Sequence, residues 1–173
     1  AVTNLQYGLT ETGKTEDIPL QLELARAYLK QGQISQAEEL FQKIEPNVVL
    51  EAEKLRFLAE LALAKKDTVK AIEHYASLHG QLAMDQDAIL QLCKIFKEQE
   101  NYEAGNALIT EALESNTENA EFWYYYAVFS KGWNLADDAG YGALKAIELT
   151  YSSQRKKEIE REFSQEIRTL SSE

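Results

Sequence analysis

The stretch 86–119, QDAILQLCKIFKEQENYEAGNALITEALESNTEN, carries the pattern on which the fold turns. Leu92-Cys93 and Phe96 lie before a polar break, Glu98-Gln99-Glu100-Asn101, and Gly105, Ile109 and Ala112 lie after it. On both sides the apolar and small residues recur at spacings of three and four, the period of one face of a helix. The segment therefore reads as two antiparallel helices joined by a short turn. Small residues at Cys93 and Gly105 let the pair approach, and an aromatic such as Phe96 fills the space beside them. Asn101 stands where an N-cap side chain accepts from the exposed amides of the second helix.

Shifting the chain against itself by 34 residues brings the same residue types into the same places, dividing it into blocks 18–51, 52–85, 86–119 and 120–153. A small residue recurs at Ala25, Ala59, Cys93 and Ala127, and another at Ala37, Ala71, Gly105 and Ala139. Four residues further on stand Phe41, Tyr75, Ile109 and Ala143, and three later Ile44, Leu78, Ala112 and Ala146. Each first half also has a residue three after its small one: Tyr28 and Phe96 are bulky, Ala62 and Ser130 are not. Breaks fall at Gln31-Gly32-Gln33, Lys65-Lys66-Asp67 and Gly132-Trp133-Asn134 as well. Asp67 is a second expected N-cap, Gly80 is placed to end a helix in the left-handed conformation, and Pro46 is placed to stop the one before it.

This 34-residue pattern resembles the tetratricopeptide repeat family over about residues 18–153, with the third block close to the family pattern and Trp123 at its early tryptophan position in the fourth. The resemblance implies an all-α fold, a right-handed superhelical array of about four antiparallel helical hairpins. Residues 154–173 follow a different pattern, with Ile159, Phe163, Ile167 and Leu170 on one stripe of an amphipathic helix. An open array exposes the apolar face of its last hairpin, so this helix is expected to cap it. Residues 1–17 are read as an N-terminal segment in which Tyr7 falls in register with Phe41 and Tyr75, as in the remnant of a preceding repeat.

Composition excludes several functions. With 173 residues, 45% of them apolar and 27% charged, the chain can bury a core, hiding roughly 70% of its unfolded surface. Against 18 Lys and Arg stand 29 Asp and Glu, a net charge of −11 that repels a nucleic-acid backbone or an anionic membrane. No apolar run reaches the roughly 18 residues of a membrane span. One cysteine excludes an internal disulfide, and the compartment stays open between cytoplasm and periplasm. Because the chain starts at Ala1, a trimmed or processed product with an upstream anchor or signal also stays open.

No catalytic, cofactor or metal site is expected. His74 and His79 lie about 140° apart around a helix, unlike the i,i+4 pair of a zinc helix. Cys93 occupies a helix-contact position, where a thiol is inert. Nothing matches a phosphate-binding glycine loop or a nucleophile elbow. The expected role is a non-catalytic protein-interaction module, an adaptor, scaffold or co-chaperone. The alternatives are a self-associating assembly module and a regulatory domain of a larger enzyme.

The resemblance places partner contacts on the first helix of each hairpin, along the concave face. The corresponding residues are Leu22, Arg26 and Leu29, then Glu53, Arg56, Glu60 and Leu63, then Asp87, Leu90, Lys94 and Lys97, and finally Glu121, Tyr124, Val128 and Lys131. Leu22, Arg26, Arg56, Glu60, Leu90, Lys94, Tyr124 and Lys131 are the core of this assignment, suited to an extended or helical peptide with apolar anchors and some acidic character. The carboxylate clamp that some family members build from Lys, Asn and Arg has no full counterpart here, since Glu60 stands where a donor is needed. In the run Phe122-Trp123-Tyr124-Tyr125-Tyr126, Trp123 and Tyr126 are expected inside and Tyr124 outside as an exposed anchor; the alternative packs all five between the last hairpin and the terminal helix.

Overall fold

The computed structural model describes residues 4–5, 17–44, 51–81 and 85–170, with the side chains of 79–81 outside that description; Pro46 and Tyr7 also lie outside it. Helices are the regular structure of the described residues, and they form two compact units, Ala1–Leu82 and Ala83–Glu173. The first holds α1 (Ile18–Lys30), α2 (Ile34–Lys43), α3 (Glu51–Ala64) and α4 (Thr68–Gln81). The second holds α5 (Gln86–Glu98), α6 (Tyr102–Ser115), α7 (Ala120–Gly132), α8 (Ala136–Leu149), α9 (Ser153–Glu162) and α10 (Ser164–Leu170). Within each unit consecutive helices pack as hairpins.

Several helix starts follow from side-chain capping, whereas α2 and α8 begin at Gln33 and Leu135 without a side-chain cap. The Asp17 carboxylate accepts from the Leu20 amide at 3.2 Å, Asp85 from Ala88 at 2.9 Å, and Asn119 from Glu121 at 3.0 Å. At second helices Asp67 accepts from Lys70 and Asn101 from Ala104, as expected from their positions. Such caps satisfy amides that the first helical turn leaves without partners, each contributing about 1 kcal/mol. Pro19 sits in the first turn of α1, where its missing amide costs nothing. Gly80 does not end α4, which continues to Gln81.

Every hairpin turns in one way. Gly32, Lys66, Glu100 and Asn134 all have positive φ, of 73°, 62°, 54° and 61°, and they are spaced at the repeat period of 34. After each, an amide returns to the carbonyl five residues back: Gln33 to Tyr28, Asp67 to Ala62, Asn101 to Phe96 and Leu135 to Ser130, at 2.8–2.9 Å. The left-handed residue itself donates three residues back, completing a Schellman turn that satisfies carbonyls at the end of each first helix.

The small positions lie where the helices touch. Ala25, Ala37, Ala59, Ala71, Cys93, Ala127 and Ala139 have no exposed surface. Gly105 is buried as well, and a Cβ there would overlap the Phe129 ring. Around these contacts the first unit packs Leu24, Tyr28, Phe57 and Leu61, with Phe41 stacked on Phe57 at 4.2 Å between ring centroids. The second packs Ile89, Ile109, Leu113, Phe122, Tyr125 and Phe129 together with Ile159 and Phe163. Ser130 is fully buried and lies 3.4 Å from the Asn106 amide nitrogen, which supplies a partner to its hydroxyl.

The C-terminal segment is two helices and not the single one expected. The stripe breaks at Phe163, whose φ and ψ of −112° and 22° leave the helical region. At the break the Lys131 ammonium donates to the Glu162 carbonyl at 2.8 Å, taking an acceptor that an uninterrupted helix would use internally. The bend lets α9 and α10 both pack on α8 while Phe163 stays buried. Gly140 is what admits α10, since a Cβ there would lie 2.6 Å from the Glu166 carbonyl oxygen.

Two outcomes follow for stability. Lys66→Gly and Glu100→Gly each raise the unfolding free energy by about 1 kcal/mol, because glycine carries no left-handed penalty, and Asn134→Gly raises it by less. Gly140→Ala lowers it by about 1–3 kcal/mol through overpacking. Urea titration measures both effects, and hydrogen exchange along α10 reports whether the alanine has loosened that helix.

Candidate partner-binding surface

In the first unit, α1 and α3 carry the expected contact residues, and their charges are engaged with one another. The Arg26 guanidinium meets three carboxylates, at 2.7 Å from Glu53, 3.2 Å from Glu23 and 3.5 Å from Glu60. Arg56 lies 4.0 Å from Glu53. Burial works against the Arg26 charge, but the hydrogen bond it donates to Glu53 and the charges of Glu60 and Glu53 outweigh it and raise its pKa further. Burial is also the largest influence on Glu60, and it holds that carboxyl above its usual range despite Arg26, Arg56 and Lys30. A partner's carboxylate would thus compete with resident ones for Arg26. Leu22 is buried and Leu29 partly so, both turned to the core and not to solvent.

In the second unit, α5 presents exposed Asp87 and Lys94 beside a partly buried Leu90. On α7 the four expected contact residues are already occupied. Glu121 accepts from two nitrogens of Arg155, Nε and Nη2, at 3.3 and 3.1 Å. Tyr124, expected outside, is only 6% exposed: the Arg155 guanidinium lies 4.3 Å from its ring centroid, and the Phe163 ring meets it edge to face at 6.2 Å. Its hydroxyl accepts from Lys97 at 2.9 Å and donates to Glu162 at 3.3 Å. Val128 is buried. Lys131 pairs with Glu166 at 3.0 Å and lies over the Phe163 ring. The reading of the aromatic run is reversed, because Tyr124 faces the C-terminal helices while Trp123 and Tyr126 are partly exposed.

Arg155, Glu162 and Glu166 were not recognisable as partners of the first-helix face from residue type alone. One signal did exist. Phe163 stands 34 residues beyond Phe129, as Phe129 does beyond Ile95 and Ile95 beyond Leu61, and all four are buried. The segment from Ser153 continues the register of a further first helix.

Among the described residues no group of three side chains that could hold a metal ion occurs. Burial pushes the Cys93 thiol up to about 12, far from a thiolate at neutral pH. No described helix is long and apolar enough to cross a membrane.

The tetratricopeptide repeat family model matches residues 22–84, which lie almost wholly within the first unit. No curated protein matches the chain. Among solved structures, the "MamA RS-1 ArsTM double mutant", a tetratricopeptide-repeat-containing protein, is similar with a TM-score of 0.64 and 11% identity, over 90% of this chain and 97% of that one. At that identity the likeness is one of fold. Residues 22–84 are thus similar to the tetratricopeptide repeat family, and the chain has the fold of a helical repeat protein.

Proposed function

We propose that this protein is a non-catalytic adaptor or scaffold that binds a protein or peptide on the first-helix faces of its hairpins. Tetratricopeptide repeats are in general protein-interaction modules, and the match over residues 22–84 supports that coarser role for the chain. The observation that carries the finer reading is the division of labour on the first helices. Leu22, Val128 and Tyr124 are absorbed into the cores, while Arg56 on α3 and Lys94 on α5 retain surface beside partly buried Leu63 and Leu90. A ligand with an apolar anchor and a carboxylate suits each of these faces. The α7 face is reserved for the chain's own C-terminal helices.

Arg56→Glu with Lys94→Glu tests this reading without touching a core residue. A partner captured from native lysate by the wild type, and identified by mass spectrometry, should be lost by the double variant while its circular dichroism stays unchanged. Capture that survives the double variant moves the site to another face, and recovery of the protein alone favours self-assembly.

The ion-pair network gives a second expectation. Arg26→Met leaves Glu23, Glu53 and Glu60 without their shared cation and lowers the stability of the first unit by about 1–2 kcal/mol, a figure discounted for partial exposure. Glu60→Gln acts in the opposite sense. Its folded pKa is raised, so the carboxylate weighs against folding at pH 7, and this burden disappears as pH falls towards the ordinary value of 4.5. The glutamine variant should therefore equal or exceed wild-type stability at pH 7 and lose that advantage near pH 4.5. Both tryptophans lie in the second unit, so hydrogen exchange in α1 and α3 is the suitable measure.

A further inference from the structure

Most of the large apolar side chains exposed among the described residues belong to the stretch 133–151: Trp133, Leu135, Tyr141, Leu144 and Tyr151. One of them, Tyr141, is part of a fixed aromatic group. Its ring stands edge to face with that of Trp123, at 5.6 Å and 83°, and Trp123 stands in the same way to Tyr126, at 5.8 Å and 81°. Two phenol rings thus stand at right angles to one indole.

The rings are held in place. The Trp123 indole N–H donates to the Thr117 carbonyl at 2.7 Å, which sets the plane of the indole. The Tyr126 ring lies against Gly142, where a Cβ would come within 2.8 Å of it, and burial, together with the charge of Asp138, raises the pKa of its hydroxyl. Despite these constraints the group is not closed off, since Tyr141 is 48% exposed and Trp123 and Tyr126 are partly so. An ordered aromatic surface facing water has already lost the side-chain freedom that a ligand would otherwise have to remove.

The surrounding charges favour one class of ligand. Asp137 and Asp138 are exposed in the first turn of α8, and Asp138 acts directly on Tyr126. The nearby cation, Lys145, is taken by Glu148 at 2.9 Å and also feels Glu118. Asp137 and Asp138 have no ion pair among the described residues. A cation drawn by these carboxylates would meet the negative face of an aromatic ring, the arrangement that holds ammonium and guanidinium groups. An acidic ligand would be repelled.

We propose that Trp123, Tyr126 and Tyr141, with Asp138, form a docking surface for an Arg or Lys side chain presented by a protein partner. The surface lies on a different side of α7 from the Tyr124 face, so it neither requires nor excludes binding on the first-helix faces.

The probe is an acetylated and amidated pentapeptide, Ala-Leu-Arg-Leu-Ala, added at millimolar concentration to the uniformly 15N-labelled chain. The two indole N–H resonances, of Trp123 and Trp133, are assigned with Trp133→Phe. The arginine peptide should shift the Trp123 resonance saturably and leave Trp133 nearly unmoved, while a peptide with Glu in place of Arg shifts neither. Tyr141→Leu, at a half-exposed position, should keep the fold and weaken binding about three- to fivefold. Asp138→Asn should also weaken it and flatten its dependence on salt. The proposal is overturned by a Trp123 resonance that ignores the arginine peptide, that responds equally to the glutamate peptide, or whose response survives Tyr141→Leu undiminished. A Trp123 shift that follows protein concentration without peptide assigns the surface to a second copy of the chain and also overturns it.

Discussion

The close contact between the two helices of a hairpin depends on what does not project between them. Ala25 and Ala37, Ala59 and Ala71, Cys93 and Gly105, Ala127 and Ala139 are the recurring small residues and each is buried, with Ala127 against Gly142 of its own hairpin and Gly105 against Phe129 of the next. A larger side chain there would force the helices apart and leave the rings beside them without neighbours. The left-handed residue in each turn serves the same contact by returning the chain within two or three residues. Three of the four turns manage this with a residue other than glycine, which indicates that helix packing supplies enough free energy to tolerate the strain.

In the second unit the first-helix face of α7 is covered from within the chain. As α1 meets α3 and α5 meets α7, so α7 is met by α9 and the start of α10. Arg26 of α1 reaches Glu53 of α3, whereas on α7 Val128 holds the position of Arg26 and Glu121, in register with Glu53, receives Arg155. The segment from Ser153 thus stands in the register of a further first helix and packs on α7. This explains why Tyr124 is inside, since its ring and hydroxyl are needed to join α5, α7 and the C-terminal helices through Lys97, Glu162 and Phe163.

Charge on these helices is likewise spent largely within the chain. Arg26 has three carboxylates around it, and Lys97 and Lys131 are committed to Glu162 and Glu166. Such pairs individually contribute little where they are exposed, but they select which neighbouring helix lies against which. Of the basic residues expected to meet a partner, Lys94 is the one left exposed without a described ion pair, and Arg56 is partly exposed. The aromatic group around Trp123 adds a surface of different character, apolar and ringed by acid.

The helices, their pairing, the positions of the turns and the caps at Asp67 and Asn101 were legible in the linear chain, because each depends on residues close in sequence and on a period of 34. Cys93 could be read as inert for the same reason, as its equivalents are all small. Which way Tyr124 faces was not legible. Five consecutive aromatics occupy every side of a helix, and only the arrival of Arg155, Glu162 and Phe163 from about 30 to 40 residues away determines which ring is covered. Nor could residue type show that Arg26 would be surrounded by Glu23, Glu53 and Glu60, since Glu53 and Glu60 come from the next hairpin. Local period determined the fold of this protein, while contacts between distant segments decided which of its surfaces remain open to a partner.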